Sequence, residues 1–398
     1  MSIRKRTWAT NGVEQSAWQC DYVDAQGKRR RKNFKLKKEA QAFLDGAKGE
    51  VRSGVHVPDG ETVTVSKAGE LWLKSCAAAG LEATTIAQYK QHLILHITPY
   101  LGDTKLNKIT VPTVRSFQDD LRDNGRSEAM VRRVTVSLGS ILSDAQDRGL
   151  SVRNAVQEMS RRRKGSTATQ KRQKPRVKVG VDIPTTEEIR AIVEAAAGRW
   201  RPFLIVAIFT GLRASELRGL PWSDVDLDNA LVHVRQRADA HNQIGPPKSA
   251  AGVRTIPLPP MAVNALREWK LACPKGELNL VFPTGAGGVE YHANIVKRGL
   301  HPTLIAAGVA LNVKLPDGNF EAKAKYTGLH ALRHWYASWL INRPADGGLG
   351  LTAKQVQERM GHSSVQMTLD VYSHLFPVVD EGAAMAQAEQ AIFAARAT

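Results

Sequence analysis

The chain has 398 residues, too many for one ordinary hydrophobic core, so two or three domains are expected. Hydrophobic residues make up 42% of it, and its formal net charge of +18 favours a polyanionic partner, most simply nucleic acid. No apolar run approaches the ~18–20 residues of a membrane-spanning helix, and the basic start Met1–Arg6 has no apolar segment behind it as a secretory signal would. Cys20, Cys76 and Cys273 are spaced for neither a disulfide framework nor a zinc site, which points to a reducing, bacterial cytoplasm.

In chain order, residues 1–58 read as a small β-rich module. Ser16–Val23 has strand propensity, with Trp18, Cys20 and Tyr22 on one face. Asp24–Gly27 supplies a turn, and a second strand to Phe34 carries Lys28, Arg29, Arg30, Arg31 and Lys32. A helix from Lys37 to Val51 follows, with Ala40, Phe43 and Ala47 at helical spacing. Such a basic strand could enter a DNA major groove. It could equally be a charged edge that resists aggregation.

Residues 60–160 are expected to form a bundle of four or five helices. Ala68, Leu71, Trp72 and Cys76 make one apolar stripe, and Ile86, Tyr89, Leu93 and Ile97 make the next. Pro112 stands in the first turn of a third helix, whose buried face is Val114, Phe117 and Leu121. A fourth runs from Ser127 to Arg148 on Val131, Val134, Leu138, Ile141, Leu142 and Ala145.

The pattern breaks at 161–182. Residues 161–178 hold nine basic side chains and no acidic one, beginning with Arg161, Arg162, Arg163 and Lys164. Lacking an apolar period, this reads as a flexible linker whose charge would suit a DNA backbone. The last domain, 183–398, opens with Thr185 and Glu188 as a capping box, then an apolar core helix from Arg201 to Phe209. Leu231–Val234 and Arg254–Leu258 read as strands, with Lys248 on the turn between them. The whole is thus expected to be mainly α with small β elements, an α+β multidomain chain. It comprises a three-stranded sheet with a helix, a helical bundle, and a mixed, mainly helical last domain.

The chemistry lies in that last domain. In order come Thr210–Leu217 with Arg213, then Lys248, then His330-Ala331-Leu332-Arg333-His334, then Gly361-His362, and finally Tyr372. A phosphodiester carries anionic oxygens, so its substitution needs cations that hold them. Arginine does so with a planar fork that stays protonated. His330 stands one helical turn before Arg333, so both can reach one site. Glu216, three residues after Arg213, could orient its guanidinium. His330 and His334 could suggest a metal pair, but Arg333 between them opposes a cation and no glutamate follows, so no metal is expected.

This ordered set resembles the tyrosine recombinases, the phage integrase family. The matching stretches are Thr210–Leu217, Lys248–Leu258, Gly328–Trp335 and Met360–Leu375. The resemblance implies that Tyr372 attacks a scissile phosphate, forming a 3′-phosphotyrosyl bond and releasing a 5′-hydroxyl. It implies Lys248 as general acid, Arg213 and Arg333 as the phosphate clamp, and His362 as a donor to the phosphate. His330 would assist proton transfer, with Glu216 in support. Neither cofactor, metal nor ATP is implied. Residues 60–160 resemble the family's core-type DNA-binding domain, and the N-terminal module an arm-type one. The implied partners are double-stranded attachment sites, three further copies in a tetramer, a directionality factor and a host DNA-bending protein, all at the bacterial nucleoid and none in a membrane. A recombinase that resolves chromosome dimers is the enzymatic alternative, although such enzymes usually lack the N-terminal module. A non-catalytic DNA-binding protein is the other. Two departures stand out: Arg343–Gly350 is a long loop, and Pro316–Asn319 turns within an extra segment. After Pro377 a short amphipathic tail helix is expected with Ala384, Ala388, Ile392 and Phe393, docking on a neighbouring copy or on its own domain.

Overall fold

The computed structural model describes residues 1–10, 13–24, 27–52, 58, 62–164, 176–377 and 381–394, within two compact units, Met1–Lys171 and Arg172–Thr398. The first unit starts with strands β1 (Ser2–Thr10), β2 (Val13–Val23) and β3 (Arg29–Phe34), paired antiparallel in that order, and helix α1 (Lys37–Arg52). Strand alternation puts Cys20 and Tyr22 under α1, against Leu44 and Ala47. Trp18 is only half-buried and lies beneath the Lys37 ammonium, 5.3 Å from its ring. The same alternation splits the basic strand between two faces. Arg30 is tied to buried Asp24 at 2.8 Å, and Lys32 lies over the Phe43 ring at 4.5 Å. Arg29 and Arg31 point the other way and are exposed. The turn residues Ala25 and Gln26 lie outside the described residues.

The helices of this unit are α2 (Val65–Ala78), α3 (Ala83–Gln91), α4 (Thr98–Leu101), α5 (Val111–Asp123), α6 (Glu128–Asp147) and α7 (Ala155–Lys164). Side chains of Thr64, Thr110 and Ser127 accept backbone N–H groups at the starts of α2, α5 and α6, satisfying donors that the helix itself leaves open. A π-helical stretch, His92–Ile97, joins α3 to α4, so the stripe of Ile86, Tyr89, Leu93 and Ile97 lies on one helical run that ends at Leu101. The core gathers Trp72, Leu93, Ile97, Phe117, Leu121, Leu138, Ile141 and Leu142. Burying each such side chain contributes ~1.5–3 kcal/mol.

The linker begins later than the charge pattern implied. Arg161–Lys164 complete α7. Asn154 starts that helix by accepting the N–H groups of Val156 and Gln157, each at 3.2 Å, and Ala155, Val156 and Met159 bury against the bundle. Arginine and lysine are good helix formers and suit a helix C-terminus, so charge alone did not end the helix. Residues 165–175 lie outside the described residues.

The second unit is built on α8 (Thr186–Ala195), capped by Thr185 and Glu188, and α9 (Trp200–Thr210), whose residues 202–208 are all buried. There follow α10 (Ala214–Arg218), β4 (Val225–Asp226), β5 (Leu231–Val234), β6 (Arg237–Ala238), β7 (Ile244–Gly245), β8 (Arg254–Pro257) and α11 (Pro260–Ala272). Strands β4, β5 and β8 form one antiparallel sheet, with Val232 opposite Ile256, while β6 and β7 form a separate hairpin. Then come α12 (His292–Asn294), α13 (His301–Ala306), β9 (Ala310–Lys314) and β10 (Phe320–Ala324). The extra segment around Pro316–Asn319 is therefore the tip of a β9–β10 hairpin.

Helices α14 (His330–Ile341), α15 (Ala353–Met360), α16 (Val365–Tyr372) and α17 (Glu381–Ala394) complete the chain. The tail is helical but not amphipathic. Its apolar residues are spread around its circumference, and Met385, Ala388, Ile392 and Phe393 are exposed rather than docked on their own unit. Among the described residues no helix is long and apolar enough to cross a membrane.

Candidate active site

Two glycines shape the site. Gly211 ends α9 in the left-handed region at φ +57°, and a Cβ there would overlap the Tyr336 ring. Gly361 ends α15 at φ +62°, where a Cβ would come within 2.9 Å of Arg254 Nη1. Only glycine adopts such turns without strain. The two helix C-termini thereby offer unsatisfied carbonyls, carrying the negative end of the helix dipole, to a cluster of arginines.

Arg333, on the first turn of α14 and 3% exposed, donates through Nη1 to the Gly211 carbonyl and through Nη2 to the Met360 carbonyl. Burial, and then the charges of Arg213 and Arg254, bring its pKa down to about 9, so it remains protonated near neutrality. Arg213 caps α10. Its Nη2 donates to the Gly361 carbonyl at 2.9 Å, and its Nη1 donates to Glu216 Oε1 at 2.8 Å. Arg254, at the start of β8, donates to both carboxylate oxygens of Glu216 at 3.1 and 2.8 Å and to the Arg359 carbonyl at 2.9 Å. Burial by itself would raise the Glu216 pKa. The hydrogen bonds and charge of Arg254, with Arg213, more than offset this and hold it at about 2. Two guanidiniums, those of Arg213 and Arg254, thus share one carboxylate while Arg333 is held by backbone carbonyls, and the cluster of three is left cationic.

Tyr372 ends α16 with 2% of its surface exposed. Burial pushes its hydroxyl up to about 12, against the opposing pull of Arg333. Its Oη lies 2.7 Å from His334 Nδ1, and its ring stacks on His362 with centroids 6.4 Å apart and planes 6° from parallel. His362 Nδ1 is 2.9 Å from Thr368 Oγ1. Burial, followed by Arg333 and Arg213, lowers the His362 pKa to about 3, so this ring is neutral in the DNA-free protein. Enclosure of the His330 ring, with Arg333 and Arg213, lowers its pKa too. His330 and His334 meet edge to face at 4.7 Å.

Of the residues singled out in the sequence, Arg213, Glu216, His330, Arg333, His362 and Tyr372 come together here. Lys248 sits on an exposed bend between β7 and the turn Ala250–Gly252 that leads into β8 and Arg254. Arg254 and His334 join the cluster without having been singled out as site residues. Arg254 read as an ordinary strand residue, and His334 only as half of a metal pair. Their signal was position within the matched stretches, not residue type. Among the described residues, no three His, Cys, Asp or Glu side chains gather as a metal would require. Arg29 to Lys32 lie on β3 of the N-terminal sheet, with Lys28 in the turn just before it, and the side chains of Arg161–Lys164 lie outside the described residues.

Comparison with known proteins agrees with this arrangement. Residues 184–377 match the phage integrase family, and residues 64–122 match the phage integrase N-terminal SAM-like domain. The chain is 27% identical over 388 residues to a tyrosine recombinase XerC-like protein of Caldanaerobacter subterraneus subsp. tengcongensis, covering 89% of this chain and 90% of the relative. It is 26% identical to the prophage integrase IntR of Escherichia coli K12, over 75% of this chain and 66% of that one. A Tn1549 transposon integrase fragment, solved with transposon right end DNA, shares the fold. Its TM-score is 0.61 at 20% identity, covering 83% of this chain and all of the fragment. The chain belongs to the phage integrase family, the tyrosine recombinases. It is a site-specific recombinase, an enzyme that cuts and rejoins DNA strands.

Proposed function

We propose that the protein integrates and excises a mobile element by way of a 3′-phosphotyrosyl intermediate, with Tyr372 as nucleophile. The observation that carries this is a cationic cluster of Arg213, Arg254 and Arg333 around one carboxylate, beside a buried, hydrogen-bonded tyrosine. A scissile phosphate supplies the anion that this cluster lacks. Arg213 and Arg333 hold its non-bridging oxygens with their remaining N–H groups, and His362 donates a further hydrogen bond. Removing one such donor typically costs ~2.7–4 kcal/mol of barrier. Glu216, gripped by Arg254, keeps Arg213 aimed. His330 assists orientation and proton transfer. Lys248, delivered by its exposed bend, protonates the leaving 5′-oxygen as general acid. The phosphotyrosyl bond keeps the energy of the phosphodiester, so rejoining needs neither ATP nor a metal.

In this reading residues 1–58 bind arm-type sites and residues 60–160 core-type sites. The outward face of the N-terminal sheet suits DNA. Arg4 and Arg31 flank Asp21 with side chains 60% and 65% exposed, and Arg4, Gln19 and Asn33 form a hydrogen-bonded row across the three strands. The active assembly is a tetramer on double-stranded attachment sites at the bacterial nucleoid, served by a directionality factor and a DNA-bending protein. Similarity to a XerC-like relative favours chromosome-dimer resolution as the second reading. The N-terminal sheet module argues for integration.

The test is a nicked suicide substrate carrying the attachment core. Wild-type protein should accumulate a covalent adduct, and Lys248→Ala should accumulate it at least ~10²-fold more slowly. Tyr372→Phe should bind the DNA and form none. An adduct formed by the Phe variant would remove Tyr372 from its role.

A further inference from the structure

His334 has no part in the scheme above, yet its Nδ1 lies 2.7 Å from the Tyr372 hydroxyl. The two rings are 5.7 Å apart and inclined at 63°, so the contact is between polar edges and not a stack. The neighbouring histidine is engaged differently: His362 lies along the Tyr372 ring and pairs through Nδ1 with Thr368. His330 touches the edge of His334, one helical turn away. Resting on the reading of Tyr372 as nucleophile, we propose that His334 is a catalytic residue that accepts the Tyr372 proton during strand cleavage and returns it during rejoining.

The groups facing His334 fit this task. From α14 come His330 and Arg333, from α16 Tyr372, and from the turn that precedes α8 comes Asp182. Burial, then His330 and Arg333, lower the His334 pKa to about 4 against the pull of Asp182, so at neutral pH the ring is uncharged. With its proton on Nε2, it accepts the phenolic O–H at Nδ1. Tyr372 stands at about 12, far above His334, so no free phenolate forms before attack. The proton leaves as the bond to phosphorus forms.

The step balances as follows. The Tyr372 O–H bond breaks, its proton goes to His334 Nδ1, and an oxygen electron pair forms the new O–P bond. The bond from phosphorus to the 5′-oxygen breaks with its electron pair on that oxygen, which takes a proton from the general acid. In rejoining, the 5′-hydroxyl returns its proton to the deprotonated general acid as its oxygen forms the bond to phosphorus, the Tyr372 O–P bond breaks with its electron pair on the tyrosyl oxygen, and the His334 imidazolium protonates that oxygen. The anionic phosphate, absent from the free protein, favours that imidazolium.

Single-turnover cleavage separates this role from a structural one. The variants are His334→Ala, His334→Asn, Lys248→Ala and Tyr372→Phe. The substrates carry either oxygen or sulfur at the bridging 5′ position, because a thiolate leaves without needing a proton. Asparagine places an amide oxygen near the site of Nδ1, so it holds the tyrosine but cannot take its proton. Both His334 variants should cleave ~10²-fold or more slowly at neutral pH on both substrates, as loss of a general base typically does. Their rates should climb with pH as solvent base takes over, while DNA affinity and melting temperature stay near wild type. Lys248→Ala should be rescued by sulfur. Wild-type rate and pH profile in His334→Asn would overturn the proposal, as would rescue of either His334 variant by sulfur, which would put His334 on the leaving-group side. If His334→Ala fails to fold, the asparagine variant carries the test. A Tyr372→Phe adduct would instead overturn the nucleophile assignment.

Discussion

Replacing Arg254 with methionine removes a guanidinium that is almost fully buried, 6% exposed, and that grips both oxygens of an equally buried Glu216. A carboxyl held at about 2 against its ordinary 4.5 has its anion favoured in the fold by roughly 3 kcal/mol. Breaking one side of a buried pair generally costs ~3–5 kcal/mol, because the remaining charge keeps its desolvation penalty. The two figures agree. In a unit of this size each kcal/mol moves the melting midpoint by roughly 2–4 °C, so the second unit should melt roughly 6–20 °C lower. Calorimetry on the full chain measures this directly. The pH dependence gives a second check. Wild-type stability from Glu216 is full above pH 4.5 and is lost as pH falls through the folded value of about 2. In the variant the Glu216 pKa rises, so the gap to wild type should be largest at neutral pH and shrink on acidification. Adding Glu216→Gln should recover part of the loss at pH 7. A single variant melting within about 2 °C of wild type at pH 7, less than 1 kcal/mol, would refute the assigned role of the pair.

Three further outcomes are expected. Gly211→Ala forces an L side chain into a left-handed turn, at ~1–2 kcal/mol, and against the Tyr336 ring, so both melting temperature and cleavage rate should fall. In the helical unit, burial lowers the pKa values of His92 and His96, and His96 Nδ1 has no hydrogen-bond partner. Their folded pKa values lie below the unfolded 6.5, so stability is present above that pH and lost as pH falls beneath it. Amide exchange across residues 65–159 should reveal the loss, and His96→Leu should diminish it. On the N-terminal sheet, Arg4→Ala with Arg31→Ala should weaken arm-site binding and reduce its salt slope by about 2, without changing cleavage of a core-only substrate.

Much of the helical architecture was legible in the sequence because its apolar residues recur at helical spacing and its caps are explicit. Pro112 in a first turn, Ser127, and Thr185 with Glu188 all mark helix starts where the sequence placed them. Charge was a poorer guide. The run from Arg161 to Lys164 is helical, since Asn154 and the buried Ala155–Met159 turn commit the segment before the charges are reached. The β9–β10 hairpin escaped notice because its strands are short and mostly exposed, with little alternation to read. In the site, polar residues in the family's order pointed to one chemistry. What order could not convey is who touches whom. That His334 meets the Tyr372 hydroxyl, and that Arg254 holds Glu216, depend on how α14, α16 and β8 pack, which no local pattern encodes.

The most direct measurement is the position of the covalent bond. The full chain is trapped on a nicked attachment-site substrate, digested with protease and nuclease, and its nucleotide-bearing peptide is sequenced by mass spectrometry. The modification should lie on Tyr372, through a phosphate at the 3′ end of the cleaved strand. A bond to any other residue, or a 5′-linked phosphate, would contradict the assignment of this site.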